Sequence, residues 1–138
     1  MSIGIGAIAK LSLQDEDTII YQYCGYNLND ERYYNKDRKC DGFITIKRDC
    51  LIKAEIHEKV IRTASKRKKL VTKRIPVVVD FEKLIRSGQI VVENCSNCWR
   101  TTSVGEKELD IAAINLLEKI FLYYQENDCI PIDSGYYK

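Results

Sequence analysis

Apolar and polar residues alternate at the start of the chain. Ile3, Ile5, Ala7, Ala9, Leu11 and Leu13 fall on one face, and Ser2, Gly4, Gly6, Lys10 and Ser12 on the other. A period of two over this length predicts a strand with one face buried. The turn-forming string QDED (14–17) comes next, then the β-rich run TIIYQYCGY (18–26), which together predict a hairpin. Tyr21 and Tyr23 share a face with Ile19 and are assigned to the core or its edge. The letters GIGAIA also spell a dinucleotide-binding fingerprint, but that motif follows a strand and opens a helix. Here the glycines lie inside an alternating strand, so the motif is rejected. Gly4 and Gly6 instead mark a close backbone approach or a bulge.

Residues 27–42 are polar, turn-rich and too long for a plain connector. FITIK (43–47) predicts a third strand. Asp49 then has the position of an N-cap for a helix running to about Ala64, with Ile52, Ile56 and Val60 on one stripe and Glu55–Lys59 and Glu58–Arg62 as i,i+4 pairs. The same CLIKAEI string also reads as the start of a strand. IPVVV (75–79) predicts a short strand with Pro76 at its start or on an edge. Asp80 and Gly88 bracket a short helix, FEKLIRS, and QIVVE (89–93) predicts another strand.

Ser103 and Glu106 have capping-box spacing. A long helix is predicted from there to about Asn127, burying Leu109, Ala112, Ala113, Leu116, Leu117, Ile120, Phe121 and Tyr124 at a spacing of 3.6. The tail CIPIDSGYYK is expected to be extended and partly mobile. The whole predicts an α+β fold in one domain over 1–138: a mainly antiparallel sheet beginning with the N-terminal β-hairpin, the long C-terminal amphipathic helix packed on the sheet, and one or two shorter helices.

Composition adds a compartment and a charge layout. With 45% hydrophobic and 30% charged residues the chain belongs to the folded class. Its start has no signal-peptide pattern, and its longest apolar runs are too short to span a bilayer, so no membrane role is expected. Six cysteines without a repeating spacing point to a reducing cytoplasm and free thiols. The net charge of +2 hides a strong asymmetry: residues 59–79 hold eight Lys/Arg and no Asp/Glu, which leaves the rest at −6.

The most anomalous stretch is SKRKKLVTKR. Lys66, Arg67, Lys68, Lys69, Lys73 and Arg74 suit an acidic protein partner or the phosphates of a nucleic acid. A solvated basic turn at a helix end is the plainer alternative. Tyr26, Tyr33 and Tyr34 lie in the long loop beside Arg32, in the residue types enriched at protein-binding surfaces; folding back over the sheet is the alternative. The Cys95–Cys98 pair in NCSNCWRTT lacks a second pair for structural zinc, and no helix starts directly behind it to stabilise a thiolate. A structural turn anchored by Trp99 is preferred, with zinc or thiol redox chemistry as the lesser alternative.

Catalytic groupings are sparse. His57 is the single histidine. Cys50 and His57, two helical turns apart, would not touch. The chain has no phosphate loop, no G-x-S-x-G and no H-E-x-x-H. These observations favour a protein that binds another macromolecule, foremost another protein, as an interaction or inhibitor module of the immunity or antitoxin kind, without a cofactor. In that reading residues 27–41 and 66–74 form the contact surfaces, or the acidic helix 106–128 if the partner is a basic nuclease. Nucleic-acid binding through 66–74 is the runner-up.

Overall fold

A computed structural model describes residues 3–137. Its centre is a five-stranded antiparallel sheet in the order β6-β3-β2-β1-β9, built from β1 (Ile5–Gln14), β2 (Thr18–Asn27), β3 (Gly42–Lys47), β6 (Ile90–Glu93) and β9 (Asp133–Tyr137). Two further hairpins stand apart from it, β4 (Glu55–Arg62) with β5 (Lys68–Ile75) and β7 (Thr101–Val104) with β8 (Lys107–Asp110). The helices are α1 (Phe81–Arg86) and α2 (Ile111–Asn127), with short 3-10 turns at Glu31–Tyr33 and Arg48–Cys50. The α+β class, the antiparallel sheet and the C-terminal helix packed on it all follow the sequence reading.

The core lies between α2 and one face of the sheet. Registers that align Ala9 with Tyr23, Tyr21 with Ile44, and Ile46 with Ile90 put these side chains on one side. There they meet Ala113, Leu116, Leu117, Ile120 and Phe121 of the helix, all buried. Alanines at positions 7 and 9 leave room for the helix backbone to come close, and Tyr21 and Tyr23 fill the rest. Gly42 makes that possible, because a Cβ there would run into the Tyr23 ring. Gly6 meets a similar limit: a Cβ would lie 2.6 Å from the Tyr136 carbonyl oxygen of β9. The close approach expected at Gly6 is therefore real.

The turn at 14–17 is held by the Asp15 carboxylate, which accepts from the Asp17 and Thr18 amides at 2.8 and 2.7 Å. A bulge between Leu11 and Leu13 breaks the alternation of β1 and turns Leu13 onto the sheet's open face beside Ile20. Leu13 is accordingly exposed, against the expectation of one continuous apolar face. Ser2 lies outside the described residues.

Four assignments from the sequence are corrected. The helix expected over 49–64 is a 3-10 turn followed by strand β4, where Ile56, Val60 and Ile61 bring β-branched stiffness that outweighs two i,i+4 ion pairs worth a few tenths of a kcal/mol each. IPVVV contributes only Ile75 to a strand, and 76–79 run as irregular chain into α1. The long helix starts at Ile111, not near Ser103, because residues 101–110 form the β7–β8 hairpin. The hydroxyls of Thr101 and Ser103 donate to Glu108 across that hairpin, and the true cap is Asp110, which accepts from the Ala112 amide. Finally, the tail is extended as expected but, as far as Tyr137, is tied into the sheet. It forms β9, paired with β1 from Gly6–Tyr137 to Lys10–Asp133. The short helix α1 is capped as expected, with Asp80 accepting from Lys83 and Gly88 in the left-handed region at φ 81°.

Candidate functional site

The basic segment is half of a hairpin that no sheet covers. Each strand of β4–β5 has eight residues in unbroken register from Glu55–Ile75 to Arg62–Lys68, and all sixteen except Ile75 are exposed. At about 3.3 Å per residue the arm is roughly 26 Å long. Its tip is a tight turn in which the Lys66 amide donates to the Thr63 carbonyl at 2.8 Å and the Thr63 amide to the Arg67 carbonyl at 2.9 Å. Lys66 sits there at φ 63°, in the left-handed region that favours glycine or asparagine. A lysine at that position keeps a cation at the outermost point, at a conformational cost of about 1 kcal/mol.

The register assigns the side chains to two faces. One carries Ile56, Val60 and Leu70 with Arg62, Lys68 and Arg74. The other carries Ile61 and Val71 with Lys59, Lys69 and Lys73. Val60 and Leu70 are cross-strand partners, exposed 59% and 58%, and form one apolar patch open to water, with the Glu58–Thr72 pair between it and Ile56. Of the hairpin's eight cations only Arg74 has an ion pair among the described residues, to Asp128 at 2.7 Å, with a second bond to the Gln125 carbonyl at 3.2 Å. That contact, with Gln125 bonded to both the amide and the carbonyl of Val77, ties the base of the hairpin to the C-terminal end of α2. His57 lies on the arm beside Glu55, at 3.3 Å, far from any nucleophile role with buried Cys50.

The tyrosine loop occupies the opposite end of α2. The Asn97 side chain donates to the carbonyls of Gly25 and Tyr33 at 2.8 and 3.0 Å, and Gly25 backs onto Ala112 in the first turn of the helix. Seventeen helical residues, about 25 Å, therefore separate the loop from the base of the hairpin. The two surfaces singled out in the sequence are not brought together. Tyr26, Tyr33 and Tyr34 are half-buried, with the Arg38 guanidinium 4.0 Å over the Tyr26 ring and Arg32 5.4 Å from that of Tyr33. Arg32 is also paired with Asp30 at 2.7 Å.

Cys24 and Cys40 form a disulfide that closes this loop at its base, against the expectation that all six thiols are free; Cys50, Cys95, Cys98 and Cys129 are free. The acidic-helix surface also dissolves. With the helix starting at Ile111, Glu106 and Glu108 belong to a hairpin, Asp110 is buried, and α2 itself keeps only Glu118 and Glu126 beside Lys119.

Cys95 and Cys98 lie in the turn after β6, Cys95 buried and Cys98 half-buried. The Cys95 Sγ donates to Asp110 Oδ2 at 3.4 Å. Burial, reinforced by the Asp110 charge, pushes the Cys95 thiol up to about 12 and the Cys98 thiol up to about 11. Both are therefore held as thiols at neutral pH. Among the described residues no group of three His, Cys, Asp or Glu side chains is arranged to hold a metal ion. Tyr23 completes the cluster: its hydroxyl donates to Asp110 at 2.9 Å and accepts from the Cys95 amide at 3.0 Å. Nothing in the residue pattern hints at this node. Tyr23, Cys95 and Asp110 are far apart along the chain and converge only where the sheet, the 94–99 turn and the α2 N-terminus meet.

No helix among the described residues is long and apolar enough to cross a membrane. No family model, no curated protein and no solved structure matches the chain.

Proposed function

We propose that the protein is a macromolecule-binding module whose working element is the β4–β5 hairpin. The observation that carries this reading is an eight-pair ladder with water on both faces. It bears five exposed aliphatic residues and seven cations without an ion pair among the described residues. A two-stranded hairpin is marginally stable alone in water. Aliphatic surface and unneutralised charge on such an arm are a standing cost to the free chain, and a partner that covers it removes that cost.

The exposed Val60–Leu70 patch favours a protein partner, as in an interaction or inhibitor module of the immunity or antitoxin kind. The seven cations favour a second reading, nucleic acid. Both place the contact on the same arm.

Replacing residues 58–72 by an Asn-Gly turn between the cross-strand partners His57 and Lys73 tests the shared claim. If the arm serves binding, the shortened protein keeps its thermal midpoint within about 3 °C and no longer co-purifies with the partner retained by the full chain. A fall of more than about 10 °C would make the arm a structural element instead.

A further inference from the structure

We propose that the partner of the hairpin is B-form duplex DNA, bound with the ribbon standing in the major groove and one face turned to each phosphate wall. This rests on the reading of β4–β5 as the docking arm. Three observations favour it over an acidic protein or a single strand. First, the arm's cations are mostly lysine and it has no Phe, Tyr or Trp, whereas protein-binding surfaces are enriched in these aromatics and depleted in lysine. A single strand also needs aromatic platforms for its bases. Second, cations occupy both faces. Arg62 and Lys68 project from one side and Lys59, Lys69 and Lys73 from the other, an arrangement suited to two backbones and wasteful against one flat surface. Third, the dimensions agree. The major groove is about 12 Å wide and admits a two-stranded ribbon.

The body's net negative charge does not oppose this. The tip stands roughly 26 Å from the base, about three Debye lengths at physiological ionic strength, so the body's carboxylates are screened from DNA at the tip. The deep, narrow major groove of an A-form RNA duplex does not admit such a ribbon.

Fluorescence anisotropy of a labelled 20-base-pair DNA duplex with the full chain, at a series of salt concentrations, tests the proposal. The expected result is a micromolar Kd near 0.1 M salt, with affinity falling steeply as salt rises. K66Q/R67Q/K68Q/K69Q should weaken binding at least tenfold and flatten the log–log salt slope by about 0.9 for each phosphate left without its cation. K83Q/K107Q/K119Q, which removes cations from the body, should change it less than twofold. No binding, or equally tight binding of the RNA duplex or of the single strand, overturns the DNA assignment. If polyglutamate binds through the same four cations and the duplex does not, the partner is an acidic protein and the docking arm stands. Duplex binding untouched by the hairpin substitutions overturns both the DNA assignment and the docking arm.

Discussion

Tyr23, Asp110 and Cys95 show how much one buried polar node is asked to do. The Asp110 carboxylate, 2% exposed, caps α2 with one oxygen and accepts from Tyr23 and Cys95 with the other. Tyr23→Phe removes the hydroxyl that both donates to Asp110 and accepts from the Cys95 amide. It should cost about 1–3 kcal/mol of unfolding free energy in urea, because two buried groups lose a partner; a loss under about 0.5 kcal/mol would mean the node is solvated. The thiols report on the same region. At pH 8 iodoacetamide should label exposed Cys129 first and Cys95 last, since buried Cys95 stays protonated well above that pH. Labelling of Cys95 at the rate of Cys129 would contradict its burial.

The sign of the pH dependence follows from the same groups. The folded state holds the Cys95 and Cys98 protons more tightly than the unfolded chain does, so their contribution is full below the ordinary thiol range and declines as pH rises from about 8.5 towards 11 and 12. At the acid end, Asp15 and Asp41 are held low by backbone amides, and Asp128 by Arg74. Their contribution is full above the ordinary carboxylate pKa of about 4 and is lost as pH falls through the depressed values. Urea midpoints measured from pH 2 to 11 should therefore trace a plateau with both shoulders falling.

Among the elements, α2 and β4–β5 differ most in how much they bury. The helix buries one whole side against the sheet. The hairpin buries almost nothing, and its tip keeps Lys66 in a conformation where glycine would be easier. Lys66→Gly should therefore stabilise the free hairpin by about 1 kcal/mol, slowing amide exchange in its turn about fivefold, while removing the outermost cation. No slowing would mean that the turn is not set by this residue. The Arg74–Asp128 pair is half exposed, with side chains 39% and 43% accessible, so Arg74→Ala should change global stability by less than about 1 kcal/mol. Its effect belongs in the orientation of the arm.

For the whole molecule, what can be read from the residues alone depends on which interactions are local. Period two in β1 and β2, the Asp80 cap of α1 and the apolar stripe of α2 are set by neighbours a few residues apart, and the sequence displays them. Residues 49–64 mislead because Ile56 and Val60 are spaced for a helix, while their β-branched character and their partners Arg74 and Leu70 belong to a hairpin closed by the turn at 63–67. The start of α2 reads too early for a related reason: Ser103 and Glu108 pair across a hairpin, a contact that capping-box spacing imitates. The Cys24–Cys40 bond and the Tyr23 node depend on tertiary convergence, which has no spacing signature. Charge segregation is visible in the sequence, but that the cations stand on an isolated ribbon with two cationic faces emerges only from the fold.

Hydrogen exchange of the free protein, followed amide by amide, tests this division into body and arm most directly. Amides of β4 and β5 should exchange orders of magnitude faster than those of β1, β2, β3 and α2, because no apolar layer protects the ladder. If 55–75 is instead protected as strongly as the central sheet in the free chain, the arm is part of the folded core and its role as a docking element is contradicted.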